Sequence, residues 1–396
     1  MGQTKLMYED FLLPGNVRFK VDTFYTIPKE VVKINPSRVI IISDRGIKNT
    51  GLVDKTADLV RKTNIPYEIF TDISGEPTFT LLESVIENYT GAENQLIIGI
   101  GGGSAMDVAK TVAALLNKND LTDYLFGNKQ IGNRAAYCIL LPTTSGTGAE
   151  VTMNAIFEDE SQALKRGLVS PSLLPDVAII DPKLTISCPS RVTAASGVDA
   201  FTHAIESYVA VRATPLTKMY AEKAMRFFPK HIHRAVHHGQ DLDARIGMSR
   251  VSNLAGVSLA NAGVGAVHAL AYPLGGKFHI EHGVANALLM PYVFEVTGKT
   301  CTEQMVRVAD FLRLGDYRKK TYKALGAIIN YLHGLQQDLE LPTSLKELKV
   351  DRDSLPLLAE QASQVTRLLS NTPYHLSKEK ILTIYEQAYD GYLKLI

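Results

Sequence analysis

Short β-branched runs alternate with amphipathic stretches until about Pro189 and then stop, and this break constrains the fold more than any other feature. Residues 38–43, 67–70, 95–100, 137–141 and 177–180 read as buried strands. Between them, segments 52–63 and 81–89 repeat apolar residues every three or four positions, as helices do. This alternation is the pattern of a parallel sheet covered on both faces. Beyond the break, segments 192–211, 217–228, 242–262, 305–312 and 322–335 read as helices, with almost no β-rich run among them. The expected architecture is an α/β N-terminal domain with a parallel Rossmann-like sheet, residues 1–187, and an all-α helical C-terminal domain, residues 188–396. A chain of 396 residues exceeds one ordinary core, which agrees with two domains.

A formal charge of +1 gives no electrostatic footprint for nucleic acid or an anionic membrane. The expected partners are therefore small molecules or further copies of the chain. No apolar run reaches the roughly 18 to 20 residues that span a bilayer. The opening decapeptide lacks the apolar core of a signal peptide, and Gln3 and Thr4 do not continue a myristoylation motif from Gly2. Cys138, Cys188 and Cys301 are far apart and odd in number, so neither a disulfide framework nor a thiolate zinc site is indicated. A reducing cytoplasm is the expected setting. His231, His233, His237 and His238 crowd one stretch, read here as the polar end of a surface helix because nothing acidic converges on it.

The strand at 95–100 runs into Gly101, Gly102, Gly103 and Ser104 and then an Ala-rich helix. Such a unit gathers bare backbone N–H groups and a positive helix end, which suits a pyrophosphate. An unliganded tight turn is the competing reading, and the GxGxxG spacing is absent because Ser104 stands at the third glycine position. The strand at 137–141 ends in a second loop of hydroxyls and glycines, Pro142 to Glu150. Parallel sheets bind ligands outside the carboxyl ends of their strands, so two such loops would line one cleft. Asp44, at the end of the first of these strands, suits a ribose hydroxyl and would repel a 2′-phosphate, favouring NAD over NADP. It is equally an ordinary strand-end aspartate.

The helical half opens with Asp199 and His203, four residues apart and one turn apart on a helix face. Alone, that pair reads more readily as a surface ion pair than as a ligand pair; Glu206 lies near the same stripe, where it could orient His203. His268 and His282 then stand among small and apolar residues, where imidazole is costly to bury unless something satisfies it. One carboxylate with three imidazoles suits Fe(II) or Zn(II).

These motifs together resemble the iron-dependent (group III) alcohol dehydrogenases, a family that includes lactaldehyde and propanediol reductases, butanol dehydrogenases and, more remotely, glycerol dehydrogenase. The likeness runs from about residue 15 to about 390 and rests on segments 101–110, 142–150, 174–182, 197–208 and 265–286, with an echo at Asn371, Thr372 and Pro373. It implies the dehydroquinate synthase-like fold shared by that family and hydride transfer between nicotinamide and a small primary alcohol or aldehyde. It further implies one divalent metal, Fe2+ or Zn2+, on Asp199, His203, His268 and His282, and a homodimer or larger homo-oligomer. Gly102, Gly103, Ser104, Asp107, Thr143, Thr144 and Thr147 match cofactor-holding positions of the family; Lys165 resembles its cofactor lysine, and Asp44 its NAD-preferring acid. Three positions depart: Tyr272 replaces a frequent histidine, Glu281 a frequent proline and Glu76 a frequent cofactor-touching asparagine. Tyr272 or His279, with water, is the expected proton carrier. The rival readings are a dehydroquinate-synthase-like cyclase using metal and NAD, and a non-catalytic dinucleotide-binding protein. A cyclase would need converging Lys and Arg, whereas the 250–290 region is apolar and small. The complete ligand set also stands against a metal-free maleylacetate reductase.

Overall fold

The computed structural model describes residues 10–161 and 164–391. Gly2, weighed above for lipidation, lies outside the described residues. Six strands form one sheet: β1 (Asn16–Phe19), β2 (Arg38–Ile42), β3 (Tyr67–Phe70), β4 (Gln95–Gly101), β5 (Tyr137–Pro142) and β8 (Val177–Ile180). A separate antiparallel hairpin pairs β6 (Asn154–Asp159) with β7 (Leu164–Val169). The sheet order is β1-β8-β5-β4-β2-β3, every neighbouring pair parallel. Its helices are α1 (Ile27–Ile34), α2 (Arg45–Asn49), α3 (Leu52–Arg61), α4 (Phe79–Tyr89), α5 (Gly103–Leu115) and α6 (Leu121–Leu125). The chain moves outward from β2 to β3 and then returns to β4 on the other side of β2. That reversal puts the ends of β2 and β4 side by side at a topological switch point, where open α/β sheets bind ligands.

From Ser190 onward the described chain is helical: α7 (Ser190–Val209), α8 (Pro215–His237), α9 (Leu242–Ala262), α10 (Ala266–Phe278), α11 (His282–Thr297), α12 (Thr302–Phe311), α13 (Tyr322–Asp338), α14 (Leu355–Ser363), α15 (Thr366–Leu369) and α16 (Lys378–Asp390). They share one large apolar core, while two further cores lie on the two faces of the sheet. The parallel sheet with a helical C-terminal half is the expected fold class. Among the described residues no single helix is long and apolar enough to cross a membrane.

Sequence patterning omits β1, β6 and β7 and ends a helix at Phe228. β1 has only four residues, too few to show a period. The hairpin carries Glu158, Asp159, Lys165, Arg166 and Gly167, which dilute any strand signal. α8 instead runs through Pro229, because Met225 and Phe228 before it and Ile232, Ala235 and Val236 after it are all buried in one core. The histidine-rich stretch occupies its end, as expected, and His231 packs against Gly247.

The loop after β5 touches α9 backbone to backbone. Gly148 has φ +61°, and a Cβ there would stand 2.6 Å from the Gly256 Cα. Gly148→Ala is therefore expected to destabilise the protein by about 2–4 kcal/mol, from a left-handed conformation plus overpacking. Urea denaturation at constant m-value checks this; an unchanged midpoint contradicts it.

Candidate active site

The site is assembled from α7, α10 and α11 on one side and the sheet's carboxyl ends on the other. On α7, Asp199, His203 and Glu206 form one buried stripe. A tight connection between α9 and α10 brings in His268. There Gly263 takes φ +75°, and the Asn371 amide donates to the carbonyls of Ala262 (2.9 Å) and Val264 (3.0 Å). Glu206 then caps the start of α10. One carboxylate oxygen accepts from the Val267 amide at 2.8 Å, and the other meets His268 Nδ1 at 2.6 Å. An anion at a helix N-terminus is favourable in itself. Glu206 thus orients His268 and not His203, because the turn into α10 delivers the His268 ring to it. The Nδ1 proton held by Glu206 leaves the His268 Nε2 lone pair facing the cluster.

Asp199, His203, His268 and His282 offer ligand atoms that all lie within 4.8 Å of one another, and among the described residues no other group was found that could hold a metal ion in this way. The Nε2 atoms of His203, His268 and His282 stand 3.7, 3.8 and 3.8 Å from Asp199 Oδ1. These spacings are too long for hydrogen bonds. They approach the separation of about 3.4 Å between tetrahedral ligands placed about 2.1 Å from one ion. The donors therefore fit a divalent metal. Burial pushes His203 and His282 down to about 4, so both imidazoles are neutral and able to ligate at physiological pH. Burial opposes ionisation of Asp199, yet the facing imidazoles and the Asn286 amide hold it below the usual carboxylate range.

His203, His268 and His282 open onto a cavity of about 390 Å³ that also reaches Gly103, Ser104, Asp107, Thr147, Lys165 and Tyr272. A smaller crevice, about 300 Å³, holds Asp44, Gly102, Gly103 and Ser104 at the switch point. Asp44 caps α2 through the Ile47 amide (2.9 Å), so its ordinary strand-end role is present as well. Thr147 is so close to Gly103 that a Cβ on that glycine would stand 2.8 Å from its methyl group, and Thr144 flanks Gly102. Thr143 is buried, and its amide donates to the Gly101 carbonyl at 2.9 Å, tying the two loops together. Asp107 accepts from the Ile156 amide (2.9 Å) and pairs with buried Lys110 at 3.0 Å. Lys165 pairs with Glu76 at 2.8 Å inside the cavity, and that cation holds the carboxyl low against the opposing effect of burial. The open backbone at Gly102 and Gly103 fits a phosphate-bearing cofactor.

Tyr272 lines the cavity, its ring 6.2 Å from that of His282, and burial raises its hydroxyl pKa above the ordinary value. His279 does not reach this space. α10 ends at Phe278, and His279 is exposed, turning the chain with φ +51°. The expectation that it relays protons is corrected on that ground. Sequence reasoning also missed Asn286, an amide buried among the ligands; its only signal was a polar residue four positions after His282 in an apolar helix.

A nucleotide-type sheet whose glycine loops face a cluster of one aspartate and three histidines across one cavity defines a class of metal-site proteins built on a dinucleotide-type domain. Residues 14–182 match the model of iron-containing alcohol dehydrogenase, and residues 193–389 that of the Fe-containing alcohol dehydrogenase family, C-terminal. The chain is 38% identical to long-chain-alcohol dehydrogenase 1 of Geobacillus thermodenitrificans over 365 residues, which is 91% of this chain and 92% of that one. A crystal structure of 1,3-propanediol oxidoreductase superposes with TM-score 0.90 at 29% identity, covering 97% of this chain and 100% of the other. The NAD+ complex of sulfoacetaldehyde reductase from Bifidobacterium kashiwanohense superposes with TM-score 0.86 at 26% identity, covering 96% and 99%. The chain belongs to the iron-containing alcohol dehydrogenase family. It is an oxidoreductase of the CH–OH group, interconverting alcohols and aldehydes.

Proposed function

We propose that this enzyme transfers hydride between NAD and a small primary alcohol or aldehyde, with one Fe2+ or Zn2+ held by Asp199, His203, His268 and His282. The observation that carries the proposal is the shared cavity: three of the four donors face the same space as Gly103 and Ser104. The division of labour follows, with residues 1–187 holding the dinucleotide and residues 188–396 the metal. Gly102, Gly103, Ser104, Asp107, Thr143, Thr144 and Thr147 form the cofactor wall, with Lys165 across the cavity and Asp44 selecting NAD over NADP. A bound ion supplies Lewis acidity toward the substrate oxygen, and the nicotinamide supplies or accepts the hydride. Asp199 and the imidazoles fix the donor geometry, with Glu206 holding His268 in its tautomer. Tyr272, kept protonated by burial, hands a proton to the nascent alkoxide and recovers it through water. A cytoplasmic homodimer or larger homo-oligomer, without nucleic-acid or membrane partners, completes the proposal; the formal charge of +1 supports its small-molecule character.

NADH oxidation by metal-stripped protein, reloaded anaerobically with Fe(II) or Zn(II) and offered a panel of short aldehydes, tests this reading. Metal-restored turnover that is faster with NADH than with NADPH is expected. Tight NADH binding without turnover on any aldehyde would overturn it.

A further inference from the structure

Asn286 lies on α11, one turn after His282, and is fully buried. Its amide nitrogen stands 2.7 Å from Asp199 Oδ1 and 3.1 Å from the Nε2 atoms of both His268 and His282. Three of the four proposed ligand atoms thus converge on one –NH2 group. Its own carbonyl oxygen is buried without a hydrogen-bond partner. An acceptor-only carboxylate at 2.7 Å requires the nitrogen, and not the oxygen, to face the cluster.

From this geometry we infer that Asn286 is the positioning residue of the metal site. It holds Asp199, His268 and His282 at ligand spacing through its amide protons, and it closes the face of the ligand set opposite His203. The inference rests on the metal reading above and adds to it a residue outside the ligand set. The physical reason is electrostatic and steric together. Three lone-pair donors gathered in a buried space repel one another, and a donor group placed among them offsets that repulsion before an ion arrives. Each imidazole Nε2 has a single lone pair, so the contacts to His268 and His282 give way to a divalent cation, whereas Asp199 Oδ1 has a second lone pair and keeps its 2.7 Å bond to the amide when an ion is bound. The amide also occupies the Asp199–His268–His282 face. Any further ligand must therefore approach over a face that includes His203, and His203, His268 and His282 are the three members of the set that line the cavity. Neither Asp199 nor Asn286 lines it. One residue thus pre-forms the site and directs its open side toward the cofactor wall.

Asn286→Ala and Asn286→Leu test this, the second being near in volume and without a donor. Zn(II) affinity is read by chelator competition, and Co(II) loading by its visible absorption; neither needs turnover. Both variants are expected to bind Zn(II) about 10–100-fold more weakly, the usual loss when a residue supporting metal ligands is removed. Their Co(II) bands are expected to shift, while NADH affinity, which reports a folded sheet domain, stays unchanged. Wild-type affinity in both variants, or recovery of wild-type affinity by Leu alone, would reduce Asn286 to a space-filler and overturn the inference. Wild-type protein that fails to take up one Zn(II) or Co(II) per chain would overturn the metal reading itself, a separate result. If the alanine variant does not fold, the leucine variant, which leaves no void, carries the same comparison.

Discussion

His268→Ala is expected to lower steady-state turnover by about a thousandfold or more, together with loss of bound metal from the purified protein. Lewis-acid stabilisation of a transition-state oxygen is worth several kcal/mol, and about 4 kcal/mol corresponds to that factor. The substitution also leaves the Glu206 carboxylate buried at 4% side-chain exposure without its imidazole. Removing one partner of a buried pair costs about 3–5 kcal/mol of stability, so the variant should melt earlier as well. Glu206→Gln separates the two effects. It keeps an acceptor for the Val267 amide and keeps the packing, but weakens the grip on His268 Nδ1. A drop of about 10–100-fold in activity with little change in stability is expected there. Metal content by atomic absorption, kcat/KM and thermal midpoint, measured on both variants, check the pair. Full turnover by a metal-free His268→Ala protein would refute the chemistry assigned to the cluster.

Much of this site was legible because each strong signal is local. Strand 95–101 with its glycines, and the four-residue spacing of Asp199 and His203, are read from period and residue type alone. The gathering of His268 and His282 onto the same point is not local, since it depends on Gly263 turning the chain and on Asn371 holding that turn from more than a hundred residues away. The cost of burying imidazole among small and apolar neighbours nevertheless marks both residues in the sequence itself. The same argument does not by itself assign Asn286 a role, because two of its three partners, Asp199 and His268, lie on other helices. The roles of Glu206 and His279 are not legible in helical spacing, for a shared reason. Helical spacing shows which residues share a stripe, but the partner of Glu206 is set by where α10 begins, and the exposure of His279 by where α10 ends. Lys110 shows the limit from the other side. It is fully buried, donating to the Ala149 carbonyl and the Thr152 hydroxyl, both at 3.1 Å, and so braces the second glycine loop, a role its place in the sequence does not announce.

That loop ends at Glu150, which is 2% exposed and lies next to the glycine contact with α9. Burial pushes its carboxyl up to about 7 from 4.5, and Lys110 offsets this only in part. The folded protein therefore retains a proton that the unfolded chain releases between about pH 4.5 and 7. Stability from this group is complete below pH 4.5 and is lost as pH rises through 7. Keeping this carboxyl ionised in the folded protein costs on the order of 3 kcal/mol at alkaline pH. His203 and His282 act in the opposite direction. Their values fall from 6.5 to about 4, so in the metal-free protein their contribution is present above 6.5 and disappears as pH drops through 4. Two imidazoles outweigh one carboxyl, and metal-free wild type should weaken on acidification despite Glu150. Comparison with Glu150→Gln cancels the histidine contribution. The glutamine variant is expected to be more stable than wild type by on the order of 3 kcal/mol at about pH 8 and equal to it near about pH 4, with the gap opening between about 4.5 and 7. Urea denaturation of both metal-free proteins across that range measures the gap. A difference that does not change with pH would show that Glu150 titrates alike in the folded and unfolded chain.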